Sequence, residues 1–263
     1  MNGVRVIAKP AGKTSHDVVA SVRHSLPRGV RVGHAGTLDP FATGVLLILV
    51  GRATRAQRWL LSLPKTYRAV ARLGWTSDTG DRDGRLVRTG RVPEELDLPV
   101  GDLMQRPPAY SAVKVDGERA YRRARRGEEV EPALRPITVH RFELLWRDGD
   151  RVGLELEVSS GTYVRTLVAD LGDAYCEELE RTAVGHFRLE DADPAHTIPL
   201  EEALGFLPER PLDAAEARRV RHGQPVGRSL GAEAVRLTHD GRVLALGEPR
   251  GGGLHPTVVF HPA

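Results

Sequence analysis

Cysteine is nearly missing from the chain: Cys176 stands alone among 263 residues. A disulfide framework and a thiolate metal cluster are therefore excluded. Long apolar runs are missing as well. The longest, Val45 to Val50, falls far short of the roughly 20 residues that span a bilayer. The opening Met1-Asn2-Gly3-Val4-Arg5-Val6 lacks the apolar stretch of a secretory signal and reads as a first strand, so a cytoplasmic location is expected. Lysine is scarce: Lys9, Lys13, Lys65 and Lys114 are the only four among 38 basic residues. The positive charge is thus mostly guanidinium, which suits bidentate phosphate contacts and stacking on bases; a high-GC genome produces the same skew. The ten histidines show no metal-ligand spacing, and no metal is expected.

Acid is scarce at one end. Residues 1–60 hold nine Lys/Arg against Asp17 and Asp39, a net +7, whereas the remainder carries −4. A basic segment on a near-neutral chain points to a polyanionic partner, most simply nucleic acid. A basic surface with no ligand would show the same excess.

Arg5–Ala8 reads as a strand ending at Lys9-Pro10, and a helix follows with Ser15 as N-cap and Val18, Val19, Val22 and Leu26 on one face. Val30 to Thr43 has no helix or strand period and reads as a loop. Val45–Val50 suits a strand buried on both faces. Ala53 to Leu63 reads as helix, Thr66–Leu73 as strand, Asp78 to Gly84 as a polar turn, and Leu86–Val100 as irregular with one short helix. Residues 101–137 look like an excursion from the core, with an arginine-rich stretch from Arg119 to Arg126. Val139–Trp146 and Val152–Val158 read as strands, and Gly161 is expected to open a helix carrying Val164, Leu167, Val168 and Leu171. Beyond about residue 195 come helices at Leu200–Leu207 and Ala214–Val220, then short strands at Val235–Leu237, Val243–Leu246 and Thr257–Phe260. A division into 1–211 and a β-rich 212–263 is expected.

The most informative segment is Gly33-His34-Ala35-Gly36-Thr37-Leu38-Asp39-Pro40-Phe41-Ala42-Thr43-Gly44-Val45-Leu46. Its glycines permit positive φ and close backbone approach, and Pro40 keeps Asp39 out of the helical region. The result is one carboxylate on a stiff turn beside a buried strand. An isolated Asp-Pro is ordinary turn chemistry, but the whole segment resembles the catalytic motif of the bacterial TruB-type pseudouridine synthases and their guide-RNA relatives. Lys9-Pro10-x-Gly12-x-Thr14-Ser15, Lys65 to Gly74, Pro107 to Lys114, Gly117 to Tyr121 and Gly161 to Leu167 resemble further motifs of that family.

The resemblance implies an α/β (α+β) fold: a large mixed, mainly antiparallel sheet flanked by helices, followed by a small PUA-like RNA-binding domain. It implies a cofactor-free isomerase that converts a T-loop uridine of tRNA to pseudouridine, acting as a monomer with no protein partner. Asp39, Tyr67 and Arg165 match the family's catalytic aspartate, its uracil-stacking tyrosine and its carboxylate-pairing arginine. His34 and Leu179 match residues that hold the flipped-out loop and line the uracil pocket. Lys9 lies in the N-terminal motif and is expected on the substrate-binding side. Arg119, Tyr121 and Arg122 belong to a segment matching an RNA-clamping insertion.

The residues themselves leave alternatives open. Tyr67 alternates with Ala69, Ala71 and Leu73, as a core tyrosine does. The arginines at 119–126 fit a solvated helix face. Arg165 lies in the expected first helical turn, a poor place for a structural cation, which favours an anionic partner. Glu180 stands where the family commonly has a basic residue, and the stretch from Arg165 to Leu179 is short. Two rivals remain: the catalytic subunit of a guide-RNA particle, and a tRNA-folding protein whose catalysis is dispensable.

Overall fold

The computed structural model describes residues 2–228, 231 and 233–261. Met1 of the expected first strand, and Ser229, Leu230, Ala232, Pro262 and Ala263 of the expected C-terminal unit, lie outside the described residues. From the N-terminus the elements are β1 (Gly3–Lys9), α1 (Ser15–His24), β2 (Val32–His34), β3 (Thr43–Val50), α2 (Gln57–Ser62), β4 (Lys65–Leu73), β5 (Trp75–Ser77), β6 (Leu86–Arg88) and β7 (Gly101–Gln105). Then come β8 (Lys114–Val115), β9 (Glu118–Arg119), α3 (Ala120–Arg125), β10 (Arg135–Asp148), β11 (Arg151–Val158), α4 (Val164–Ala169), β12 (Ala174–Val184), β13 (Phe187–Arg188), β14 (Ile198–Pro199) and α5 (Leu200–Ala203). The C-terminal part holds β15 (Glu209–Pro211), α6 (Ala214–Arg221), β16 (Val226–Arg228), β17 (Val235–His239), β18 (Arg242–Arg250) and β19 (Gly253–Val259).

Ten strands form one sheet in the order β14-β1-β3-β12-β4-β11-β10-β7, with β2 on β3 and β13 on β12. Every pairing is antiparallel except β3 with β12. The unbroken apolar run of β3 has a simple cause. Val45, Leu47 and Leu49 face a core shared with Trp59, Leu60 and the C-terminal unit. Leu46, Ile48 and Val50 face Val18, Val19 and Val22 of α1. In β4 only one face is covered, so Lys65, Tyr67, Ala69, Ala71 and Leu73 are buried in alternation with more accessible neighbours. The parallel pairing of β3 with β12 is unusually close. A Cβ on Gly44, which has φ +106°, would lie 2.2 Å from the Arg181 carbonyl oxygen, so only glycine fits there.

Several local expectations change. The N-cap of α1 is Thr14, one residue before the expected Ser15, because Thr14 and Asp17 form a reciprocal capping box. Ser15 turns inward instead. The loop from Val30 contains β2, which pairs with β3 through Val32–His34. No helix occurs within 86–100; Leu86–Arg88 pairs with Trp75–Ser77. Gly161 has φ +88° and precedes α4, which begins at Val164. The excursion leaves the sheet only over residues 106–134, since Gly101–Gln105 pairs with Arg135–Val139 at the sheet edge. Within it, Asp116 and Gly117 both take positive φ between β8 and β9, the Asp-Gly turn that favours tight hairpins.

The second sheet runs β15-β17-β18-β19-β16. Its own core, around Leu212, Val220, Leu237, Leu244 and Leu254, packs under α6. Its other side, through Ala234, Val243, Leu246 and Phe260, joins the core that holds Val4, Leu47 and Leu49. Arg52 donates to the Phe260 carbonyl, Arg55 to the Val259 carbonyl, and Arg58 pairs with Glu248. Among the described residues no helix is long and apolar enough to cross a membrane.

Candidate active site

Asp39 sits in the middle of the loop that joins β2 to β3, and every backbone carbonyl from Gly36 to Pro40 is tied down. Gly36 and Thr37 accept from the Arg181 guanidinium at 3.1 and 3.2 Å. Leu38 exchanges bonds with the Ser15 hydroxyl, as donor at 3.0 Å and acceptor at 3.2 Å. Asp39 accepts from the Ala42 amide at 3.2 Å, and Pro40 from the Gly12 amide at 2.8 Å. Pro40 also accepts from Lys9 Nζ at 3.3 Å. A loop with no free acceptor has little slack, and its one projecting carboxylate is aimed by the fold.

Arg165 meets that carboxylate. Its Nε donates to Asp39 Oδ2 at 2.8 Å, and its Nη1 lies 3.2 Å from Asp81 Oδ2. Nη1 also donates to the Thr79 carbonyl and Nη2 to the Tyr110 carbonyl at 3.2 Å. The Arg165 side chain is 4% exposed, that of Asp39 32%. A buried guanidinium thus holds two carboxylates that both border the cleft, Asp39 the more exposed and Asp81 the more buried. Burial pushes the Asp81 carboxyl above its ordinary range, opposed by hydrogen bonding from Thr79 and by the charge of Arg165. Asp81 is fixed in turn by Thr79 Oγ1 at 2.7 Å and by the Asp83 amide at 3.1 Å. The start of α4 is held by Gln105, whose side chain bonds both the amide of Tyr163 at 2.8 Å and its carbonyl at 3.1 Å.

The cleft around this pair has a volume of about 710 Å³. Asp39, Tyr67, Arg165 and Leu179 line it together, as do Lys65, Tyr163 and, from the excursion, Arg119 and Tyr121. Tyr67 comes from β4 and Leu179 from β12, on neighbouring strands where Leu179 pairs with Ala69. Of the expected site residues, three do not line the cleft. Lys9 is 1% exposed, and its ammonium donates to the carbonyls of Pro10, Lys13 and Pro40. It props the loop from inside, and burial lowers its pKa to about 8. His34 packs edge-to-face on His16 at 5.6 Å, with its proton affinity lowered first by burial and then by the charges of His16 and Arg181. Arg122 is exposed on α3.

Three parts of the site had escaped the sequence reading: Asp81, Gln105 and Arg181. Asp81 lay in a stretch that reads as a polar turn. Arg181 stands in Glu178-Leu179-Glu180-Arg181, which looks like surface, yet its side chain is among the largest that are fully buried. Lys65 likewise points inward, and burial together with Arg181 lowers its pKa to about 7. Among the described residues no group of three or more His, Cys, Asp or Glu side chains is arranged to hold a metal ion.

The excursion brings cations to the rim, but two are already paired. Arg123 bonds Asp116 at 3.0 Å and Glu128 at 2.8 Å. Arg126 bonds Glu118 and Glu128, each at 2.7 Å. Arg125 lies over the Tyr121 ring at 5.5 Å, a cation–aromatic pair at the cleft mouth.

Residues 23–164 match the family model described as TruB family pseudouridylate synthase, N-terminal domain. Residues 207–261 match that of tRNA pseudouridine synthase II, C-terminal. The chain is 44% identical to a protein of Thermobifida fusca named tRNA pseudouridine synthase B, covering 98% of both chains. It is 42% identical to a protein of that name from Mycobacterium leprae, covering 99% of this chain and 91% of the relative. Among solved structures it resembles a chain of a Cbf5-Nop10-Gar1 complex, with a TM-score of 0.72 and 27% identity over 99% of this chain and 85% of the other. With one family model matching residues 23–164, more than half of the chain, a second matching 207–261, and relatives above 40% identity over nearly the whole length, the chain belongs to the TruB family of pseudouridylate synthases.

Proposed function

We propose that this protein isomerises a T-loop uridine of tRNA to pseudouridine, in the cytoplasm, as a monomer that needs neither cofactor nor protein partner. The observation that carries the reading is the Asp39–Arg165 pair, joined at 2.8 Å in a cleft that also holds Tyr67 and Leu179. Breaking the bond from C1′ to N1 sends its electron pair to the base and leaves the sugar electron-poor. A carboxylate beside C1′ stabilises or traps that sugar. Arg165, donating to its Oδ2 at 2.8 Å, holds Asp39 in one rotamer. The freed uracil turns against the Tyr67 ring and rejoins through C5. The C5 proton then passes to the Tyr67 oxygen as the phenol proton is handed on through water to N1 of the base, so the ring ends the cycle as it began. Leu179 supplies an apolar wall, and Arg119 and Tyr121 hold the RNA at the rim.

Two observations favour the stand-alone enzyme over the guide-RNA subunit. Residues 106–134 supply their own cleft-lining side chains, and the relatives above 40% identity carry the name tRNA pseudouridine synthase B. The test is an unmodified tRNA transcript with no other macromolecule. The unaltered protein is expected to form pseudouridine. Asp39→Asn is expected to form none while tRNA affinity stays within about tenfold, or ~1.4 kcal/mol, because phosphate contacts position the RNA independently of the carboxylate. Turnover by the Asn variant would remove Asp39 from the chemistry.

A further inference from the structure

Arg181 presents an imbalance. It is 1% exposed, and a buried guanidinium ordinarily has a carboxylate partner. Among the described residues Arg181 forms no ion pair. Its three bonds go to neutral carbonyls: Val45 at 2.7 Å, Thr37 at 3.2 Å and Gly36 at 3.1 Å. All three flank Asp39 in the chain, two before it and one after. Two further cationic side chains, Lys9 and Lys65, are buried nearby, and the charge of Arg181 helps to lower the proton affinity of both. A chain that needed only to fill this space would be expected to use an apolar residue.

The strand geometry shows why the arginine comes from β12. Arg181 pairs with Gly44 where β12 runs parallel to β3, and no side chain fits on Gly44. The backbone of β12 is thereby brought against the start of β3, and the guanidinium reaches under the preceding loop. Its planar fork spans separate carbonyls at fixed spacing, which a single ammonium does not reproduce. Arg165 grips the carboxylate of Asp39 from the cleft side. Arg181 grips the backbone that carries it.

We infer that Arg181 is a positioning residue for the isomerisation, tying the Gly36, Thr37 and Val45 carbonyls on either side of Asp39 so that its carboxylate stands in its reactive place. The inference rests on the assignment of Asp39 above. It concerns the rate of the chemical step and not RNA affinity: Arg181 borders the cleft, but it is 1% exposed and its three hydrogen bonds go to backbone carbonyls of the protein itself.

The experiment compares the unaltered protein with Arg181→Lys and Arg181→Met on the same tRNA transcript. Single-turnover rate at saturating protein, tRNA Kd and thermal midpoint are measured for each, with rates taken well below the lowest midpoint. The expected result is a rate at least about 30-fold lower in both variants, with Kd within about threefold. This follows from the steep dependence of rate on placement. Arg181→Lys keeps the charge and loses the fork, so a deficit in both variants identifies geometry as the cause. A rate within threefold of the unaltered protein in either folded variant overturns the inference. So does failure of both variants to fold, which would make Arg181 a stability element of β12 alone. Inactivity of the unaltered protein would instead strike the proposed function, and Asp39→Asn run alongside keeps the two failures apart.

Discussion

Two roles are proposed for the one ring of Tyr67, and substitution at this position separates them experimentally. It is 8% exposed, with its ring among core side chains and one edge in the cleft. In Tyr67→Phe the stacking face survives and only the hydroxyl is removed. If that oxygen accepts the C5 proton, the variant should bind tRNA normally and run at least about 100-fold slower, in the range for a missing general base. Tyr67→Leu should be slower still, since base stacking contributes about 1–3 kcal/mol. Single-turnover release of tritium from 5-³H-uridine in tRNA measures the step; near-normal release by the Phe variant would leave the ring as a stacking surface only.

Two residues along the strand, Lys65 is held near a pKa of about 7 by burial and by Arg181. Its folded value lies below its unfolded value of about 10.4. Between those limits the unfolded chain binds the extra proton, so stability rises with pH, by up to about 1.4 kcal/mol per pH unit for one such group. Raising pH from 7 to 9 should therefore raise the urea midpoint of the unaltered protein more than that of Lys65→Met. Equal gains in the two would mean that Lys65 does not titrate in this window.

At the scale of elements, the arginines of α3 and of its C-cap, Arg126, differ in what they bond. Arg123 and Arg126 bind Glu128, Asp116 and Glu118 and so brace the excursion from within. Arg122 forms no ion pair among the described residues, and Arg125 rests on Tyr121. Removing Arg122 and Arg125 together should weaken tRNA binding and flatten its log–log salt dependence by about 0.7–0.9 for each phosphate no longer neutralised. Removing Arg123 and Arg126 should instead loosen the excursion, read as faster proteolysis between residues 106 and 134. A salt slope unchanged in the first pair would return all four arginines to a structural role.

The elements also show where the sequence is transparent. β3 and β4 stand out because an apolar run and a strict alternation each have one simple cause. The loop motif stands out because Gly44 and Pro40 answer local steric needs. β12 does not, although it is a central strand. Glu177, Glu178, Glu180 and Arg181 hide it, and only Arg181 among them is fully buried, held by carbonyls that belong to distant sequence. Asp81 is hidden for the same reason: nothing near it in sequence signals the guanidinium of Arg165. Short Asp-Gly hairpins such as the one at Asp116-Gly117 were legible in principle from the turn residues alone.

For the whole molecule, several basic residues of the first 60 bond other parts of the protein, although only Arg5 and Lys9 of the nine are buried. Arg5 bonds Thr197 and the Pro194 carbonyl, Lys9 props the loop, and Arg52, Arg55 and Arg58 reach the C-terminal unit. Much of the charge that suggested nucleic acid therefore fastens the protein to itself. The seam it fastens is also apolar, with Phe260 fully buried against the first sheet's core. Phe260→Ala should cost about 3–5 kcal/mol and lower the melting of the entire chain in one transition. Two separate transitions in a calorimetric scan would show that the units unfold independently.

That shared core has a consequence for how the protein is made. Domains commonly fold in turn as they leave the ribosome. Here Val4 and Leu47 lie in the same cluster as Val243, Leu246 and Phe260 as well as Trp59 and Leu60, so one apolar face of the N-terminal strands stays only partly covered until translation has passed residue 260. The interval between the two is the period in which the nascent chain is most exposed to misassociation, and in which a chaperone that shields β1 and β3 has something to cover.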